Sequence, residues 1–147
     1  MIFWEKQKLI AALYEKYTKP VREKYGLTQM QYDILMFLHN NPKYNTAADI
    51  VRIRQLTKSH VSAALKELES AGYLLGRYEP GNKKTRHLRL LERAKPVTED
   101  GERVQQAFGH RLLQGFTEEE ITVCREIFTR MCQNAAEGLN PSDTDGI

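Results

Sequence analysis

The side chains able to do chemistry in this 147-residue chain fall into two sets. The first is nucleophilic or metal-ligating: Cys124, Cys132, His39, His60, His87 and His110. No CxxC, HxxxH or HExxH spacing joins them, so a zinc site has no local frame. No GxSxG, Walker A or GxGxxG pattern occurs, and Glu118-Glu119-Glu120 stand at a helix start, where the dipole accounts for them. Catalysis, a bound metal and a cofactor therefore find no support. The second set is Thr57, Lys58, Ser59, His60, Ser62, Ala63 and Lys66, followed further on by Asn82, Lys83, Lys84 and Arg86. Short hydroxyl and methyl side chains let a helix come close to base edges, and cations neutralise phosphates. The chemistry these residues suit is binding to duplex DNA.

The charge distribution points the same way. The formal net charge is only +3. Residues 52–93, however, carry 10 basic and 4 acidic side chains, a net of +6, whereas residues 94–147 carry 5 basic and 10 acidic, a net of −5. A basic block of this kind is an electrostatic footprint. No apolar run approaches the ~18 residues of a membrane-spanning helix. The start MIFWEKQKLI lacks the pattern of a secretory signal. Cys124 and Cys132, on one helix, would lie about 12 Å apart, too far for a mutual disulfide. Cytoplasmic residence with reduced thiols is the expectation.

The elements that must position these residues are mostly helical. Ile10, Leu13, Tyr14, Tyr17 and Val21 form one apolar stripe, in a helix that Pro20 should kink or end. Thr28 with Gln31 is a capping box opening a second helix, which buries Ile34, Leu35 and Leu38. Thr46 with Asp49 opens a short third helix. Thr57 caps a fourth, with Val61, Leu65 and Leu68 as its buried stripe and Gly72 as its left-handed stop. The period then changes: Tyr73–Tyr78 and His87–Leu91 read as two strands joined by a basic-tipped turn. Thr98 starts a fifth helix carrying Val104, Phe108 and Leu112. Thr117 with Glu120 opens a sixth, with Ile121, Cys124, Phe128, Met131 and Ala135 on one face.

Short helix, three-residue turn, second helix and basic hairpin make a helix-turn-helix with a wing. The fold class is mainly α with a small β-hairpin: a winged helix-turn-helix with N- and C-terminal helical dimerisation arms. The expected divisions are 1–27 for the first arm, 28–96 for the DNA-binding lobe, 97–137 for the second arm and 138–147 for a flexible tail. The polar face of the fourth helix would meet the major groove, and the hairpin adjacent phosphates or the minor groove.

The stretch LTQMQYDILMFLHNNPKYNTAADI, followed by TKSHVSAALKELESAGYL and a basic hairpin, resembles bacterial regulators of the MarR (multiple antibiotic resistance regulator) family. The likeness covers roughly residues 5–137. It implies a homodimeric transcriptional regulator, commonly a repressor, on a palindromic operator. It also implies release by a small phenolic or aromatic effector bound between the dimer base and the winged lobe. Tyr14, Tyr17, Tyr32 and Phe37, with Trp4, are the aromatic candidates to line such a crevice. Two departures stand out. Ala63 replaces the basic residue usual after Ser62. Asn82-Lys83-Lys84 replaces the Asp-x-Arg of the usual wing, and lysine lacks the guanidinium fork for bidentate contacts. Glu92–Pro96 also reads as an insertion before the usual helix start.

The dimer has separate support, because a small winged lobe cannot cover the stripes of the terminal helices. Ile10, Leu13, Tyr14, Tyr17, Phe108, Leu112, Ile121, Cys124, Phe128 and Met131 are the expected interface. On its stripe Cys124 reads as a small core residue. Two other readings remain open: a winged module that binds protein with its basic face solvated, and a redox-gated regulator acting through Cys132.

Overall fold

Three capping boxes punctuate the chain where the sequence places them. In each, a threonine hydroxyl accepts from the backbone N–H three residues on, and that residue's side chain accepts from the threonine N–H: Thr28 with Gln31, Thr46 with Asp49 and Thr117 with Glu120. The computed structural model describes residues 2–140, with side chains from residue 5. Trp4 as a side chain and the tail residues 141–147 lie outside the described residues. The chain divides into two units, residues 1–108 and 109–147.

In the first unit α1 is Ile2–Lys24, α2 Gln29–Asn40, α3 Ala47–Arg54 and α4 Lys58–Ser70. The strands β1 (Leu74–Tyr78) and β2 (Arg86–Leu90) pair antiparallel, from Leu74 opposite Leu90 to Tyr78 opposite Arg86. A 3-10 turn, Glu92–Ala94, leads into α5, Lys95–Leu112, whose last four residues belong to the second unit. The core gathers Ile34, Leu35, Met36 and Leu38 of α2, Ile50 of α3, Val61, Leu65 and Leu68 of α4, Leu74 and Leu88 of the strands, and Val97 of α5. In the second unit, α6 spans Glu118–Gly138.

Three sequence expectations need correction. Pro20 does not end α1, which runs on to Lys24. Proline leaves only the carbonyl four residues earlier, that of Lys16, without its donor. Both residues are exposed, so solvent can serve that carbonyl, and the chain reverses instead at Gly26, with φ +65°. Thr98 does not start α5. The helix begins three residues earlier, and the buried Thr98 hydroxyl donates to the Lys95 carbonyl. The reason is tertiary: Ala94 and Val97 are drawn into the core, which fixes the 3-10 turn Glu92–Ala94 directly against the start of the helix. Cys124 is exposed in the chain, not a core residue, because α6 buries nothing among its own described residues.

Candidate nucleic-acid interface

The helix-turn-helix is set by backbone chemistry before any contact with DNA. Gln55 takes the left-handed conformation, φ 52°, and its N–H closes on the Val51 carbonyl, which stops α3 abruptly. Gln55, Leu56 and Thr57 then turn the chain into α4. Thr57 occupies the N-cap position, but its side chain makes no capping bond. Residue 60 is a histidine, with no carboxylate or amide to complete a box. Thr57 is exposed at this helix start, where the dipole favours an anion.

Every candidate residue on α4 and its cap is exposed: Thr57, Lys58, Ser59, His60, Ser62, Ala63 and Lys66. The opposite face, Val61, Ala64, Leu65 and Leu68, is buried. Lys58, Ser62 and Lys66 recur every four residues and wall a groove of about 540 Å³. Thr46, Ala47 and Ala48 of the α3 start, and Tyr78, Lys84, Thr85 and Arg86 of the hairpin, also line it, as does Glu69 of α4. The two lysine-bearing elements thus face one concavity.

The wing is built by its turn. Gly81 has φ +83°, and the Asn82 side-chain oxygen accepts from the Lys84 N–H at 3.0 Å, a local turn that presents Lys83 and Lys84. Asn82, Lys83, Lys84 and Arg86 are all exposed. Among the described residues Lys83 and Lys84 make no side-chain hydrogen bond or ion pair, whereas Arg86 is 2.6 Å from Glu69 of α4. From the far side, the Asn45 carbonyl accepts from the Leu88 N–H at 2.7 Å and its side chain meets His87 Nδ1 at 2.8 Å, so the hairpin is held on both flanks.

Sequence reasoning overlooked Tyr78 and Glu69, both in the groove lining. Tyr78 is 53% exposed at the end of β1, and its place at the end of a strand hid it. Arg52 and Arg54 share in the basic block, but they face acids: Asp49 at 2.9 Å and Asp33 at 3.6 Å. Burial pushes the Asp33 carboxyl up, against the pull of Gln29 and Arg54. No group of three or more His, Cys, Asp or Glu among the described residues is arranged to hold a metal, and no described helix is long and apolar enough to cross a membrane.

The expected interface residues differ in exposure. Ile10, Cys124, Phe128 and Met131 are open to solvent, Leu112 only marginally so, and Leu13, Tyr14, Tyr17, Phe108 and Ile121 are half-buried. Within the first unit Tyr14 and Tyr17 meet the Phe108 ring edge to face, with centroids at 5.3 and 6.3 Å. Of the candidates for an effector crevice, Tyr32 and Phe37 lie in the core, and burial raises the Tyr32 phenol.

These features define a winged helix-turn-helix protein with long flanking helices. Residues 25–80, from the end of α1 to the first wing residues, match the sequence profile of the MarR family. The described fold is that of MarR-family transcriptional regulators. A chain from Listeria monocytogenes assigned to that family and solved with a 26mer DNA is similar at 22% identity; the match covers 93% of this chain and 90% of that one, with a TM-score of 0.81. The transcriptional regulator SlyA is similar at 23% identity, over 93% of this chain and 96% of its own, with a TM-score of 0.80. A MepR–DNA complex from S. aureus is similar at 18% identity, over 92% and 96%, with a TM-score of 0.74. At these identities the likeness establishes a shared fold. No curated protein matches the chain.

Proposed function

We propose that the chain is a sequence-specific DNA-binding transcriptional regulator, acting as a repressor on a palindromic operator as a homodimer. The observation that carries this reading is the groove walled by Lys58, Ser62 and Lys66 on one side and the hairpin with Lys84 on the other. Affinity comes from phosphate neutralisation by Lys58, Lys66, Lys83 and Lys84. Specificity comes from Ser59, His60 and Ser62 at base edges. The DNA complexes among similar structures support the same use of the fold.

The exposed apolar residues of the two arms support self-association. Leu9 is 66% exposed and Phe128 64%, with Val123, Ile127 and Met131 also open. A two-fold dimer would set the reading helices about 34–36 Å apart, one duplex turn. Release by a small aromatic effector fits the Tyr14, Tyr17 and Phe108 ring cluster, which offers edge and face contacts to a further ring.

The test separates positioning from reading. Lys83→Ala with Lys84→Ala weakens binding to every duplex and lowers the salt slope by about 0.9 per lost phosphate contact. Ser59→Ala or His60→Ala instead changes which duplex binds best, by ~1–3 kcal/mol per lost base contact. An unchanged salt slope in the lysine variant contradicts the wing assignment. Binding of protein alone, with no duplex preference, would favour the protein-interaction reading.

A further inference from the structure

We propose that Glu69, Gly76 and Arg86 form a latch that sets the wing against the reading helix, and that Arg86 serves DNA binding through this latch without touching phosphate. The inference rests on the DNA-binding reading above and assigns a positioning role within it.

The geometry joins three elements. Arg86 Nη2 on β2 donates to Glu69 Oε1 in the last turn of α4 at 2.6 Å and to the Gly76 carbonyl on β1 at 3.0 Å. The Gly76 N–H points to the same Glu69 oxygen at 3.4 Å. In the ladder Arg86 stands opposite Tyr78, and Gly76 opposite Leu88, so the arginine leans back along β1 to lie over Gly76. A Cβ at Gly76 would fall 2.6–2.9 Å from Nη2, Cζ and Nε of Arg86. The guanidinium occupies the space that a side chain at residue 76 would take. A glycine inside a strand marks such a close approach.

A two-stranded hairpin is marginal by itself and needs an anchor to hold a direction. The tip lysines make no side-chain partners of their own among the described residues, so their aim depends on the hairpin base. Arginine suits the anchor because one terminal nitrogen, held in the guanidinium plane, directs its two hydrogens at the carboxylate and the carbonyl together. The pairing also holds the Glu69 carboxyl below its ordinary range.

The proposal has a distinctive sign. Removing a carboxylate beside a DNA-binding groove should strengthen binding on Coulomb grounds alone. A latch predicts the reverse. The experiment uses the full chain and a duplex selected with the wild type; failure of the wild type to bind any duplex would sink the underlying reading, separately from this one. Affinity and salt slope are measured for Glu69→Gln, Gly76→Ala and Arg86→Gln, each alone and in the Lys83→Ala/Lys84→Ala background. Thermal melts accompany each variant. Each single variant is expected to bind several-fold more weakly, and its salt slope to fall by at most about 1.8, the contribution of two lysine contacts. In the lysine-free background Gly76→Ala has no further effect, and Glu69→Gln and Arg86→Gln leave only the small Coulomb changes of an altered charge, without the slope loss of a phosphate contact. Tighter or unchanged binding by Glu69→Gln overturns the latch. So does a further slope loss of about 0.9 for Arg86→Gln in the lysine-free background, which would mean a direct phosphate contact. Should Glu69→Gln fold poorly, Gly76→Ala keeps the test open, since its Cβ displaces only the flexible end of Arg86.

Discussion

Helices α2 and α6 begin with the same chemistry and end in opposite environments. Each opens with a threonine capping box, Thr28–Gln31 or Thr117–Glu120, and each carries an apolar stripe. Yet α2 buries Tyr32, Ile34, Leu35, Met36, Phe37 and Leu38, while α6 buries no residue among those described. A capping box and a period of 3.6 specify a helix; they do not specify what covers its apolar face. The core of the winged lobe is complete within one chain. The face of α6 is an unfinished surface, and the proposed dimer is what would finish it.

The largest expected effect separates the two helices. Leu35→Ala empties a fully buried site and should cost ~2–5 kcal/mol of unfolding free energy, independent of protein concentration. Phe128→Asp should leave the winged lobe folded, as read by circular dichroism, but abolish self-association in sedimentation and weaken operator binding. Equal destabilisation by both at every concentration would erase the distinction between them.

The next effect sharpens the account of the finished core. Gly101 is where α5 lies tight on α2: a Cβ there would collide with Met36 Sδ and sit 3.1 Å from Tyr32 Oη. Alanine is the better helix former by ~1 kcal/mol. Overpacking at this contact should outweigh that gain, so Gly101→Ala is expected to destabilise by ~1–2 kcal/mol in chemical denaturation. A stabilised variant would show that the two helices can part at no cost.

The smallest effect is electrostatic. Asp100 of α5 accepts from Lys24 at 2.8 Å and from Tyr25 at 2.6 Å, and pairs with Arg103. These partners hold its carboxyl down to about 2. A depressed carboxylate stabilises the fold above its unfolded value near 4, and that contribution disappears as the pH falls from about 4 to 2. With Lys24 largely exposed, solvent screening limits it to about 1 kcal/mol. Asp100→Asn should therefore be less stable than the wild type at pH 7 and nearly equal to it at pH 2 in thermal melts.

Much of this was legible in the sequence because it is written locally. The three capping boxes, the turn between α3 and α4, the Gly72 stop and the exposed row on α4 all follow from spacing within one helical turn or two. What the sequence concealed was tertiary. Pro20 reads as a break, but one lost donor on an exposed face does not unwind a helix already anchored by buried Val21. Thr98 reads as a cap, but burial of Ala94 and Val97 starts α5 earlier. The Glu69–Arg86 pair spans 17 residues and exists only through the hairpin register, so nothing short of the paired strands reveals it. The one local signal was Gly76, a glycine inside a strand.

The central claim, that the lobe reads DNA with α4 and holds it with the wing, is tested most directly by selection from random duplex DNA. The winning sequence is then measured at two salt concentrations, with the wild type beside Lys83→Ala/Lys84→Ala. The account predicts a palindromic winner, steep loss of affinity with salt, and a slope lower by about 1.8 in the variant. No enrichment of any sequence, or equal slopes for the two proteins, would contradict it.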